Sequence, residues 1–251
     1  MNHPISPKDT LGALVARHPG LGVCLERLGL DYCCGGARTL EDAARSAGLD
    51  PASVIRALEA AVAQAPLESG EEKDWKASSL TTLADHIEAV HHAYLRQALP
   101  RLTDLLGKVR RAHEARHGAM LARLEETFTR LRNELGTHLM KEERVLFPLI
   151  RDLERFARGE IAEFHAHCGS VRNPIRQMEH EHVEAGEALA TMRELTVDYG
   201  PPPDGCPTFR ALYDELLRLE TDLHRHIHLE NNVLFPGAVA LEQQGPAPRV
   251  P

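Results

Sequence analysis

Two stretches of this chain repeat one another. His138-x3-Glu142-x2-Val-Leu-Phe-Pro148 recurs as His226-x3-Glu230-x2-Val-Leu-Phe-Pro236, with every matched position offset by 88. Each repeat continues an apolar series whose members stand alternately three and four residues apart. The first series is Leu121, Leu124, Phe128, Leu131, Leu135, His138, Glu142, Val145 and Leu149, and the second is Leu212, Leu216, Leu219, Leu223, His226, Glu230 and Val233. That spacing marks one face of an α-helix turned toward other helices. Two further helical patterns, at 80–106 and 175–197, complete the pairs. The repeat therefore predicts two helical hairpins forming a four-helix bundle. Strand-like alternation is nearly absent, so the fold class is all-α.

The apolar faces run straight through a His and a Glu in both repeats. A His and a Glu four apart share a helix face, but such pairs are ordinary surface features, and His180 with Glu184 makes a third in this chain. Position separates them. His138, Glu142, His226 and Glu230 occupy inward positions, where a lone carboxylate faces a heavy desolvation cost that a bound cation removes. On the third helix, Met178, His182, Ala185, Leu189 and Met192 place His182 inward and His180 toward solvent. On the first, His92 heads a series with Leu95, Leu99, Leu102 and Leu106, whereas His86 and His91 border another formed by Leu80, Leu83, Ile87, Val90 and Tyr94. Periodicity leaves that choice open. Four His and two Glu converging in a bundle suit two metal ions, with the carboxylates able to bridge them. The Glu-x-x-His spacing of ferritin-like sites is not found on these faces.

Thirteen of the fifteen histidines lie between His86 and His228. Those off the apolar faces, His165, His167, His224 and His228, are expected to be largely solvated, with one available to hydrogen-bond a ligating imidazole. Phe147 and Phe235 are expected in the core. Trp75 is expected to pack the linker on the bundle.

Residues 1–66 read as a small helical domain. Thr39 with Asp42 resembles a capping box, Gly48 can stop that helix, and Asp50-Pro51 supplies a cap followed by proline at the first helical position. Between the helices lies a turn-like segment, Asp31-Tyr32-Cys33-Cys34-Gly35-Gly36. Its two thiols are candidates for handling iron, a damaged cluster or redox equivalents, since thiolates are soft metal ligands. Cys24, Cys168 and Cys206 read as packing or loop residues. Residues 67–79 form a linker, 80–241 the bundle and 242–251 a flexible tail. Within the bundle, 151–174 is a partly helical connection, and three consecutive prolines keep the loop from Asp198 to Pro207 from being helical throughout.

Net charge is −8 with fifteen histidines counted neutral, which argues against nucleic-acid or anionic-membrane partners. No apolar run is long enough to span a bilayer, and the N-terminus lacks the order of a signal peptide. Five unevenly spaced cysteines do not resemble a secreted disulfide framework. The expected location is the cytoplasm.

The segments His138-Leu-Met-Lys-Glu142-Glu-Arg-Val-Leu-Phe-Pro and His226-Ile-His-Leu-Glu230-Asn-Asn-Val-Leu-Phe-Pro resemble the metal-binding helices of haemerythrin-like proteins. With Asp31-Tyr-Cys-Cys-Gly-Gly36, Glu72-Lys-Asp-Trp75 and Pro-Pro-Pro-Asp-Gly-Cys206, the chain resembles the branch that repairs iron-sulfur clusters. This resemblance implies a haemerythrin-like four-helix bundle behind a Cys-Cys domain. It implies a non-haem centre of two Fe ions with His92, His138, His182 and His226 as terminal ligands, Glu142 and Glu230 as carboxylate bridges, and room for an oxo or hydroxo bridge. It also selects His92 over His91. The implied function is repair of clusters damaged by nitrosative or oxidative stress, by iron donation or NO binding, with Cys33 and Cys34 assisting. The implied partners are damaged iron-sulfur proteins and NO or O2, and a homodimer is compatible with the reading. The alternatives are an NO or O2 carrier or sensor, and an oxidoreductase reducing NO at two irons.

Overall fold

The computed structural model describes residues 4–64 and 74–245. Among these residues there are helices and one isolated antiparallel bridge, Thr10 to Thr39, but no strand. No helix is long and apolar enough to cross a membrane. The chain divides into two compact units. One joins the residues up to Leu83 with His224–Gly245, and the other contains Ala84–Leu223.

The first unit opens with α1 (Leu11–Arg17), α2 (Leu21–Arg27), α3 (Leu40–Ser46) and α4 (Pro51–Gln64). Their starts follow from side-chain caps. Thr10 accepts a hydrogen bond from the Ala13 amide, Thr39 from Asp42 and Asp50 from Ser53, each satisfying an amide that the first helical turn cannot. Gly48 ends α3 at φ +72°, a left-handed conformation that costs glycine nothing. Leu11, Leu14, Leu21, Leu25, Leu40 and Leu58 form a small closed core.

The last helical turns of the chain belong to this unit. Asn232 inserts between two glycines, so that a Cβ at either Gly12 or Gly36 would lie 2.1 Å from its Oδ1. Only residues without a side chain permit that approach.

The second unit begins within α5 (Leu80–Ile87) and continues through α6 (Ala93–Lys141), α7 (Phe147–Ala157) and α8 (Arg172–Leu195) into α9 (Pro207–Leu229). The sequence leaves a gap between the first two helical patterns, yet α6 fills it. Only His113 leaves helical values, at φ −121° and ψ 16°. The chain doubles back here. Arg132 donates to Thr103 at 3.1 Å and Arg110 pairs with Glu125, holding the two arms side by side as the expected hairpin. Phe128, Leu131, Leu212, Leu216 and Leu219, from the inward series read in the sequence, lie in the core together with Phe209.

The α8–α9 connection turns through Val197, Asp198 and Tyr199, all at positive φ. A buried polar lock holds them. Glu220 accepts from the Tyr199 hydroxyl at 2.6 Å and from Arg193 at 2.7 and 2.9 Å. Helix α8 therefore ends at Leu195, two residues before the expected 197. The 151–174 connection is helical to Ala157 and again from Arg172, with irregular backbone between.

The chain closes with α10 (Phe235–Gln244). Residues 242–244 are thus helical, which corrects the expected flexible tail from 242. Residues 246–251, and 67–73 of the expected linker, lie outside the described residues. The linker's end forms a short 3-10 turn, Trp75–Ala77, capped by Asp74, with Trp75 half-buried.

The glycine pair yields a stability test. Gly12→Ala should cost about 1–3 kcal/mol through overpacking, read as a lower thermal midpoint, and Asn232→Gly should recover much of it. Gly36→Ala should resist that rescue, because its Cβ also meets the Tyr32 carbonyl at 2.6 Å.

Candidate metal centre

Three of the six expected ligands sit at widened turns of helix. Residues Glu88–His92, Glu142–Leu146 and Glu230–Leu234 are π-helical, so the Phe147 amide bonds back to the Glu142 carbonyl and the Phe235 amide to the Glu230 carbonyl, five residues away. Proline explains two of these turns. Pro148 and Pro236 have no N–H for the carbonyls of Arg144 and Asn232, and the helix responds by slipping one register. The proline that ends each Val-Leu-Phe-Pro repeat carried this signal in the sequence. The turn at Glu88–His92 has no proline after it. It is tied to α7 by Arg151, which donates to Asp85 at 2.7 Å and Glu88 at 2.9 Å.

In the second unit, His92, His138, Glu142 and His182 are all buried, with Glu142 wholly shielded from solvent. One Glu142 oxygen lies 3.4 Å from His92 Nε2 and the other 3.3 Å from His138 Nε2. His182 Nε2 lies 3.2 Å from His138 Nε2. His92 also stacks on Phe147, with ring centroids 5.7 Å apart. In the first unit, His226 Nε2 lies 3.1 Å from Glu230 Oε1, and both residues are buried.

The opposite ring nitrogens are held by acids. His92 Nδ1 donates to Glu143 at 2.8 Å, and Arg96 pairs with the same oxygen. His138 Nδ1 donates to Glu181 at 2.9 Å, and Lys141 pairs with that carboxylate. The bond from His138, outweighing the cost of partial burial, holds Glu181 at about 2. A carboxylate oxygen accepts from a ring N–H, so Nδ1 is the donor in each pair and each Nε2 turns its lone pair toward Glu142. Lone pairs and a buried carboxylate facing one another repel unless a cation lies among them. The donor set of imidazole nitrogen and carboxylate oxygen therefore fits a transition-metal ion.

Neighbouring histidines are placed elsewhere. His91 is buried but pairs with Asp222 at 3.0 Å, so the choice left open by periodicity falls to His92 as the residue beside Glu142. His180 is exposed and faces Glu184. His165 and His167 are exposed, as expected, but His228 is buried and His224 half-buried, so two of the four rather than most are solvated. Burial lowers His228 to about 4, so it is neutral. The partners of His92 and His138 in the second unit are Glu143 and Glu181 rather than other histidines. Their signal in the sequence was adjacency to Glu142 and His182.

The Cys-Cys segment belongs to the first unit. Asp31 caps the turn, accepting from the amides of Cys33, Cys34 and Gly35 and from the Cys33 thiol at 3.1 Å. Asp31, Cys33 and Cys34 offer ligand atoms all within 4.8 Å of one another. Asn232 donates to the carbonyls of Tyr32 at 3.3 Å and Cys33 at 3.1 Å, while Asn231 reaches the Cys33 carbonyl at 3.4 Å. These asparagines stand at the repeat positions of Glu143 and Arg144. The duplicated motif has thus diverged into a clasp for the Cys-Cys turn, which sequence reading missed.

Hydrogen bonding to Cys34 and burial push the Cys33 thiol well above its ordinary range. Its thiolate is present only at pH above that range. Iodoacetamide at pH 8 should consequently leave Cys33 unmodified in the folded protein and label it after denaturation. Rapid labelling in the native state, read by peptide mass spectrometry, would contradict the buried protonated thiol.

Two family models match the chain. Residues 83–238 match the Hemerythrin HHE cation binding domain, and residues 7–62 match a Domain of Unknown function (DUF542). The chain is 40% identical to the iron-sulfur cluster repair protein YtfE of Cronobacter sakazakii over 93% of its own length and 97% of the relative's. It is 40% identical to the protein of that name from Escherichia coli O157:H7, covering 92% and 97%, and 38% identical to that of Musicola paradisiaca, covering 92% and 96%. With this match along nearly its whole length and a cation-binding bundle behind a DUF542 domain, the chain belongs to the YtfE family of iron-sulfur cluster repair proteins.

Proposed function

We propose that this chain repairs iron-sulfur clusters damaged by nitrosative or oxidative stress, using a centre of two iron ions. His92, His138, His182 and His226 are its terminal ligands, and Glu142 and Glu230 its bridges. The observation that carries the reading is the buried Glu142 carboxylate with one oxygen toward each of two imidazole Nε2 atoms. The 88-residue repeat assigns the equivalent role to Glu230. Bound iron supplies redox chemistry and exchangeable coordination positions for NO or O2.

The chain's own residues set the rest. Glu143 and Glu181 orient their imidazoles and increase the nitrogen's basicity, while Arg96 and Lys141 pair with those acids. Six protein ligands for two metals leave coordination sparse, which suits release of iron as cargo to an apo-cluster. The clasp of Asn231 and Asn232 holds Cys33 and Cys34 beside the turn that bears Glu230. We assign these thiols to assisting the transfer, with Cys33 acting as a protonated thiol until metal or exposure removes its proton. Five free cysteines suit a reducing compartment, the cytoplasm.

Metal analysis with an optical spectrum should give about two irons per chain, as the bridged bundle site requires. Glu142→Leu should reduce that to one or none, and retention of two would remove its bridging role. Glu181→Ala should weaken iron binding about 10- to 100-fold in chelator competition by freeing the His138 ring. Reactivation of a damaged hydratase should fall in Cys33→Ser/Cys34→Ser. Equal repair by that variant would take the thiols out of the mechanism.

A further inference from the structure

The Cys-Cys turn of the first unit gathers three donor atoms around a single proton. The Cys33 thiol faces Asp31 Oδ1 at 3.1 Å and Cys34 Sγ at 3.9 Å, and it has one hydrogen to share between two acceptors. Each of the three residues offers a ligand atom within 4.8 Å of the other two. Hydrogen bonding to Cys34, burial and the negative charge of Cys34 and Asp31 all raise the Cys33 thiol. Surroundings that hold a proton this firmly attract a doubly charged ion more strongly still.

The backbone sets this arrangement in advance. Asp31 Oδ1 also accepts from the amides of Cys33 at 3.0 Å and Cys34 at 2.9 Å, and Oδ2 accepts from Gly35 at 2.9 Å. Three main-chain donors therefore fix the carboxylate against the two thiols. Asn231 and Asn232 hold the Cys33 carbonyl. Cys33 is buried, Cys34 half-buried and Asp31 exposed, so the three residues run from the core to the solvent and leave an ion a way in.

We propose that Asp31, Cys33 and Cys34 form a site for one divalent, thiolate-seeking ion, separate from the His and Glu ligands of the bundle, through which ferrous iron passes as cargo. The choice of iron rests on the repair reading above; the site itself rests on the geometry of the turn. Two thiolates bound at about 2.3 Å to a tetrahedral ion stand about 3.8 Å apart. The two sulfurs, at 3.9 Å, already have that spacing. Oxygen and sulfur on the same ion stand about 3.6 Å apart, so Asp31 and Cys33 have only to separate by about 0.5 Å.

Binding balances without a change of oxidation state. Two metal–sulfur bonds form as two S–H bonds break, and the protons pass to solvent. Two sulfur donors select Fe2+, Zn2+ or Co2+ over Mg2+ and Ca2+, which prefer oxygen. Three protein ligands leave the fourth tetrahedral position open, so a thiolate or sulfide of a recipient can enter there and draw the ion away.

The test uses the full chain under anaerobic, reducing conditions with Co2+ as the probe. Titration should develop a thiolate-to-cobalt charge-transfer band in the near ultraviolet, complete at one equivalent, which nitrogen and oxygen ligands do not give. Fe2+ and Zn2+ should displace the cobalt, and excess Mg2+ should not. Glu142→Leu should keep the band. Cys34→Ser should about halve its intensity, and Asp31→Asn should keep the band but weaken binding at least about 10-fold, each with an unchanged circular dichroism spectrum. Absence of the band in the wild type, a band that persists in Cys33→Ser/Cys34→Ser, or an affinity that Asp31→Asn leaves unmoved would overturn the site. Cobalt that Fe2+ cannot displace would overturn iron as its cargo. A wild type that shows the band yet fails to reactivate a damaged hydratase would overturn the repair reading and support the site alone.

Discussion

The second unit's candidate metal site depends on which way each imidazole is turned. Glu143 and Glu181 accept hydrogen bonds from Nδ1 of His92 and His138, so the Nε2 lone pairs point inward at a carboxylate with no access to water. Reversing either tautomer would put a proton toward Glu142 and turn an electron-rich cage into a pair of ordinary hydrogen bonds. Arg96 and Lys141, at the exposed edge, balance the outer acids. Charge alternates from the surface inward: cation, carboxylate, imidazole, carboxylate. A cation would continue that series.

Helix geometry serves this arrangement. An uninterrupted α-helix would continue through Glu142 with every amide bonded four residues back, but Pro148 cannot donate and the helix widens instead. Pro236 repeats the effect at Glu230. The duplicated motif thus carries its own distortion. Where the two copies differ, they show separate uses of one scaffold. The first copy keeps Glu143 to hold His92, whereas the second places Asn231 and Asn232 at the matching positions to grip the Cys-Cys turn. Gly12 and Gly36 give Asn232 its space.

Much of this was legible because burial and periodicity are coupled. His138, Glu142, His182 and His226 stand on apolar helix faces, and a residue on such a face is carried inward by the same hydrophobic burial that packs Leu131 or Leu219. The caps at Thr39 and Asp50 and the stop at Gly48 were legible too, since each is a local hydrogen bond or backbone conformation. His91 and His92 were not separable, because two adjacent helical residues flank one face and both are buried. His228 misled for a related reason. It lies off the stripe that carries His226, but Tyr32 covers it, with ring centroids 5.5 Å apart.

The sequence by itself determined an all-helical chain, two hairpins, their inward faces and the residue types available to bind metal, since these follow from local spacing and side-chain chemistry. Only the tertiary structure decided which acids hold the imidazoles and that Asn232 reaches the Cys-Cys turn. Those contacts join residues 43 to 199 positions apart. No periodicity relates such positions. Their meeting depends on how helices cross and where they bend.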